Sequence, residues 1–128
     1  MSPKILVIDD DIDLVEVLRI VLESHGYEVI DAQDGDRGYL LTEREKPDLI
    51  ILDVMMRTED EGFYIAEKIR SQPDIAKIPI IMLTAVCQQT GYQYKKNDDV
   101  LPVDEFIEKP VMPDTLIGLI EKYLGKNS

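Results

Sequence analysis

Three apolar runs and one short mixed strand in this sequence end on a group that can do chemistry. Asp9 and Asp10 follow Ile5-Leu6-Val7-Ile8, Asp53 follows Leu49-Ile50-Ile51-Leu52, Thr84 closes the run beginning at Ile78, and Lys109 follows Phe106-Ile107-Glu108. Short runs this apolar read as strands buried on both faces of a parallel sheet, and ligands bind such sheets outside the carboxyl ends of the strands. The reactive groups therefore gather at one edge. Asp9, Asp10 and Asp53 brought together repel one another, and a single lysine does not balance them, so a cation is implied. Oxygen donors without a Cys/His cluster suit Mg²⁺ or Mn²⁺ rather than zinc, with a backbone carbonyl just past Asp53, that of Met55, as a further ligand.

Beside such an ion a carboxylate can act as a nucleophile toward phosphorus, and Asp53 would then carry an acyl phosphate. The Thr84 hydroxyl would donate to one phosphoryl oxygen and the Lys109 ammonium would pair with another. No GxxxxGK[ST] stretch occurs, so a nucleotide is not the expected donor. Each residue alone has a plainer reading. Asp9 and Asp10 would cap the next helix, Thr84 would be a local capping hydroxyl, Lys109 a solvated charge and Phe106 core packing. Their joint placement at strand ends is what favours a site.

The elements that must position these groups alternate along the chain. A helix follows Asp11 or Asp13, with Leu14, Leu18, Val21 and Leu22 inward, and Gly26 stops it. Tyr27 to Ala32 reads as a strand nearer a sheet edge. A helix from about Asp36 to Lys46 turns Leu40 and Leu41 inward and ends at Pro47. Phe63 to Ser71 supplies a helix with Ile65, Ala66 and Ile69 as its inner stripe. Ala85 to Val100 keeps no 3.6 period and predicts a short, irregular helix. Val103 to Glu108 is a fifth strand. Pro113 opens a last helix burying Leu116, Ile117, Ile120, Tyr123 and Leu124. The repeated β-α pattern predicts a doubly wound, flavodoxin-like α/β sandwich with parallel strand order 2-1-3-4-5.

Composition narrows the class. A chain of 128 residues makes one domain, expected to bury about two-thirds of the surface its unfolded form exposes. The single cysteine, Cys87, excludes an internal disulfide. With 14 basic and 26 acidic residues the net charge is −12, which disfavours direct nucleic-acid binding. Without an apolar leader or a membrane-length apolar run, the expectation is a soluble cytoplasmic protein.

Four stretches, KILVIDDD, PDLIILDVMM, IPIIMLTA and VDEFIEKPV, together resemble the receiver domain of two-component response regulators, in that family's order and near its spacing. The resemblance spans nearly the whole chain. It implies that Asp53 is the phosphoacceptor, that Asp9 and Asp10 hold Mg²⁺, and that Thr84 and Lys109 sense the phosphoryl group. It also implies that Phe106 is a switch aromatic, that Lys109-Pro110 is a cis peptide, and that the donor is a phosphohistidine on a histidine kinase or histidine phosphotransfer protein. Such a domain catalyses its own phosphorylation and dephosphorylation and passes the change to a downstream protein. Residues 1–124 are then the receiver and 125–128 a short tail, with no output domain expected and dimerisation left open. Two departures stand out. Arg57 takes the place of the usual proline, with Gly62 one residue late, and Pro102-Val103 replaces the common Gly-Ala. Two other readings are a Mg²⁺-dependent aspartyl-phosphate phosphohydrolase and a degenerate receiver that binds a partner regardless of phosphorylation.

Overall fold

The chain alternates strands and helices as β1 (Lys4–Ile8), α1 (Ile12–Ser24), β2 (Glu28–Ala32), α2 (Gly35–Glu45), β3 (Leu49–Asp53), α3 (Glu61–Arg70), β4 (Ile80–Thr84), β5 (Glu105–Glu108) and α4 (Pro113–Leu124). The computed structural model describes residues 2–54, 61–84 and 103–125. The helix expected between Ala85 and Val100, and with it Cys87, lies outside the described residues, as do Met55 and Arg57. The strands form one parallel sheet in the order β2-β1-β3-β4-β5, the order the β-α pattern predicts. Val7 pairs with Ile51, so β1 and β3 are neighbours and their carboxyl ends open side by side.

Strand pleating sorts the core into two layers. Ile5, Val7, Leu49, Ile51, Ile81, Leu83 and Ile107 pack with Leu18 and Leu22 of α1 and Leu116 and Ile120 of α4. The alternate residues Leu6, Ile8, Ile50, Leu52, Ile80 and Met82 pack with Tyr39 of α2 and with Ile65, Ala66 and Ile69 of α3. Every residue of β3 from Leu49 to Leu52 is wholly buried, because helices cover both faces of this central strand. Each such side chain contributes about 1.5–3 kcal/mol by leaving water.

The helix starts follow from local chemistry. Asp11 caps α1 by accepting from the Leu14 N–H, and Asp34 caps α2 by accepting from the Arg37 N–H at 2.8 Å. Pro113 occupies the first turn of α4, where its missing N–H costs nothing. The inner face of α2 differs from expectation. Leu40 is 58% exposed, and Gly35, Gly38, Tyr39 and Thr42 face inward instead. The reason is close approach: a Cβ on Gly38 would stand 2.5 Å from Ile8 Cδ1, so the helix lies with its backbone almost on the sheet. In α1 the most buried residue of the first turn is likewise Val15, with Leu14 at its flank.

Arg70 fastens the far end of α3 to the sheet. Its guanidinium donates to the carbonyls of Ala76 and Ile78 at 2.8 and 2.7 Å and to Asp104 Oδ2 at 2.7 Å, and the same carboxylate oxygen accepts from the Ile80 N–H. An Arg70→Ala variant is expected to lose about 1–3 kcal/mol of stability. Arg70→Lys should recover little of it, since an ammonium lacks the planar fork. Urea denaturation of the two variants measures both effects. Among the described residues no helix is long and apolar enough to cross a membrane.

Candidate functional site

The site is built on the carboxyl edge of β1, β3 and β5. Asp9 directly follows β1 and is fully buried. Its N–H donates to the Ala32 carbonyl at 3.0 Å, which extends the β1–β2 ladder by one residue, and its Oδ1 accepts from the Asp11 N–H at 2.9 Å. Asp53 ends β3 with 4% exposure and continues the alternation of Leu49 and Ile51. Lys109 follows β5, and its N–H donates to the Thr84 carbonyl at 2.7 Å. The Lys109-Pro110 peptide is cis.

These anchors bring the charges together. Lys109 Nζ stands 3.5 Å from Asp9 Oδ2 and 3.4 Å from Asp53 Oδ1, so one ammonium is shared by two buried carboxylates. Asp10 is exposed at the mouth, and one carboxylate oxygen from each of Asp9, Asp10 and Asp53 lies within 4.8 Å of the others. Burial pushes the Asp9 carboxyl above its ordinary range, against the opposing effect of the Asp11 N–H and Lys109. Among the described residues Asp9 Oδ2 accepts no hydrogen bond. A buried carboxylate oxygen without a donor, in a trio of carboxylates that one lysine only partly neutralises, fits a small hard cation.

Thr84 and Phe106 occupy a different position from the charged trio. Asp53 is in register with Leu83, so Thr84 lies one residue beyond and belongs to the opposite face of the pleat. It is buried, with 3% exposure. Phe106 pairs with Met82 on that same face and is half-buried, its ring centroid 6.2 Å from that of Phe63 at an interplanar angle of 57°. The predicted carbonyl ligand of Met55 lies outside the described residues.

One residue near the site, Glu61, escaped the sequence reading, and its neighbour Gly62 was noted only as displaced. Glu61, in the first turn of α3, is buried, and its Oε2 accepts from the Gly35 N–H at 3.0 Å. Gly62 donates its N–H to the Val54 carbonyl at 2.9 Å and has no room for a side chain. In sequence Glu61 is one more acid in a polar loop. The only available signal was the family's glycine, displaced by one residue.

The response regulator receiver domain family matches residues 5–121. The chain is 40% identical over 127 residues to the alkaline phosphatase synthesis transcriptional regulatory protein PhoP of Bacillus subtilis, with 99% of this chain and 50% of that protein aligned. It is 30% identical over 122 residues to protein PilH of Pseudomonas aeruginosa, covering 95% of this chain and 98% of PilH. The chain thus spans about half the length of PhoP and nearly all of PilH. Among solved structures, the chemotaxis response regulator CheY4 of Vibrio cholerae superposes with a TM-score of 0.81 at 27% identity, covering 97% of this chain and 100% of that one.

Proposed function

Since the chain belongs to the response regulator receiver domain family, whose members are phosphorylation-dependent switches, we propose that Asp53 is its phosphoacceptor and that a phosphohistidine on a histidine kinase or histidine phosphotransfer protein is the donor. An Asp53 carboxylate oxygen attacks phosphorus, the phosphorus–nitrogen bond to the donor imidazole breaks, and the imidazole nitrogen takes up a proton. Lys109 already holds Asp53 through Oδ1 and is the cation best placed to meet a phosphoryl oxygen. A Mg²⁺ or Mn²⁺ ion held by Asp9, Asp10, Asp53 and the Met55 carbonyl would supply positive charge against that of the transferring group. Thr84 senses the phosphoryl group from the end of β4, and Phe106, on the same side of the pleat, carries the change to a downstream protein.

The observation that carries this reading is the shared lysine: Lys109 between two buried carboxylates is an arrangement a helix cap or a solvated charge would not need. A turnover phosphohydrolase is not favoured, because its usual general acid would stand two residues after the nucleophile, where this chain has Met55. Incubation with acetyl phosphate and Mg²⁺ should add the mass of one phosphoryl group to the intact protein, and Asp53→Asn should abolish the adduct. An adduct of equal yield on the Asn variant would overturn the assignment.

A further inference from the structure

We propose that Glu61 is a positioning residue for the phosphoacceptor: its buried carboxylate ties the amino end of α2 to the backbone of Asp53. The inference rests on the assignment of Asp53 above and extends it to a residue 8 positions further along the chain.

The tie has three parts. Glu61 Oε2 accepts the N–H of Gly35, the first residue of α2, at 3.0 Å, where the positive end of the helix favours an anion. Gly35 is shaped for this contact, since a Cβ there would meet Glu61 Oε2 at 2.7 Å and Ile65 Cγ1 at 2.6 Å. The next residue, Gly62, lies directly on the end of β3. Its N–H bonds the Val54 carbonyl at 2.9 Å, and its Cα is so close that a Cβ would stand 2.3 Å from the Asp53 carbonyl oxygen. The backbone of Asp53 and Val54 is therefore held from outside the sheet by Gly62, and Glu61 sets where Gly62 lands.

At its other end the tie reaches Asp9. The Ala32 carbonyl that accepts the Asp9 N–H is only three residues before Gly35. The short turn from Ala32 to Gly35 thus holds Asp9 by a carbonyl and Glu61 by an N–H. One polar strut spans the two buried carboxylates that share Lys109, without itself touching the reacting atoms. Transfer to Asp53 depends on in-line placement of its carboxylate, and small displacements cost large factors in rate.

The test compares Glu61→Ala and Glu61→Gln, each as the full chain and below its unfolding transition, for the rate of phosphorylation by acetyl phosphate at saturating Mg²⁺. Glutamine keeps the length and an acceptor oxygen, so it should stay within about twofold of wild type, while alanine should slow the reaction by roughly tenfold or more. The amide resonances of Asp53, Val54 and Gly62 should move in the alanine variant and return in the glutamine one. Should Glu61→Ala fail to fold, Glu61→Asp, one methylene too short to reach Gly35, takes its place with the same expectation. Equal rates in wild type, alanine or aspartate, and glutamine forms would overturn the positioning role. Failure of wild type itself to take up phosphate would overturn the Asp53 assignment instead, so the two ideas fail separately.

Discussion

An Asp9→Asn variant is expected to be more stable than the wild-type protein without Mg²⁺, and Mg²⁺ is expected to stabilise the wild type but not the variant. Asp9 is fully buried, its Oδ2 accepts no hydrogen bond among the described residues, and its share of Lys109 is taken at 3.5 Å beside Asp53. Ionised, it is a desolvated charge only half compensated. Asparagine keeps the oxygen that accepts the Asp11 N–H and leaves Lys109 to Asp53 alone. The gain should be on the order of 1–3 kcal/mol at neutral pH. The pH dependence follows from burial raising the Asp9 carboxyl in the folded state. Below the ordinary carboxylate value both folded and unfolded chains hold this proton, and Asp9 costs nothing. Above it the unfolded chain releases the proton first, so stability without metal falls as pH rises through the raised folded value. A Mg²⁺ ion held there would compete with that proton, and its affinity should climb over the same window. Urea titrations of both proteins with and without Mg²⁺, between about pH 4 and pH 8, test each part. A variant less stable than wild type in the metal-free protein would contradict the account.

Gly62→Ala should have the larger cost to the fold. A Cβ there meets Asp53 O at 2.3 Å, Val54 Cα at 2.6 Å and Asp53 C at 3.0 Å. All three are backbone atoms of a buried strand end, so no side chain can swing aside. Either α3 backs away from the sheet, or the end of β3 shifts and carries the Asp53 carboxylate with it. A loss of about 2–4 kcal/mol is expected, with slower phosphorylation of whatever remains folded. Gly118→Ala makes the control, because a Cβ on that exposed residue of α4 meets nothing within 4 Å. It should instead stabilise by about 0.5–1 kcal/mol, the usual gain on replacing glycine inside a helix. Thermal unfolding of the pair separates a clash from a general effect of the substitution. Similar transition temperatures would show that α3 can retreat freely.

Much of the fold was legible because its signals are local. Four-residue apolar runs ending on Asp9, Asp53 and Thr84 mark strands whatever the rest of the chain does, and their alternation with helical periods leaves few topologies. The carboxylates and Lys109 were legible for the same reason: a charge directly after a buried strand has one edge to go to. Two of the misses depended on partners distant in sequence. The phase of α2 is set by Gly38 lying on Ile8, so counting leucines put Leu40 inside when it is outside. Glu61 is buried by a glycine 26 residues away, and no period in its own neighbourhood records that. The start of β4 also moved. Ile78 donates its N–H to Ile75 in a turn and Pro79 has none to give, so the strand begins at Ile80 although the apolar run begins earlier.

The two-residue repeat of the sheet has a consequence for how signals are partitioned. Asp53 continues the sheet face whose Leu49, Ile51 and Leu83 pack with α1 and α4, whereas Phe106 packs in the layer shared by α2 and α3. Under the proposed roles, a donor meeting Asp53 at the carboxyl edge and a reader contacting the Phe106 side need not compete for the same surface. With those roles the sheet, only one residue thick, would be a two-sided page, written at the Asp53 side and read from the Phe106 side.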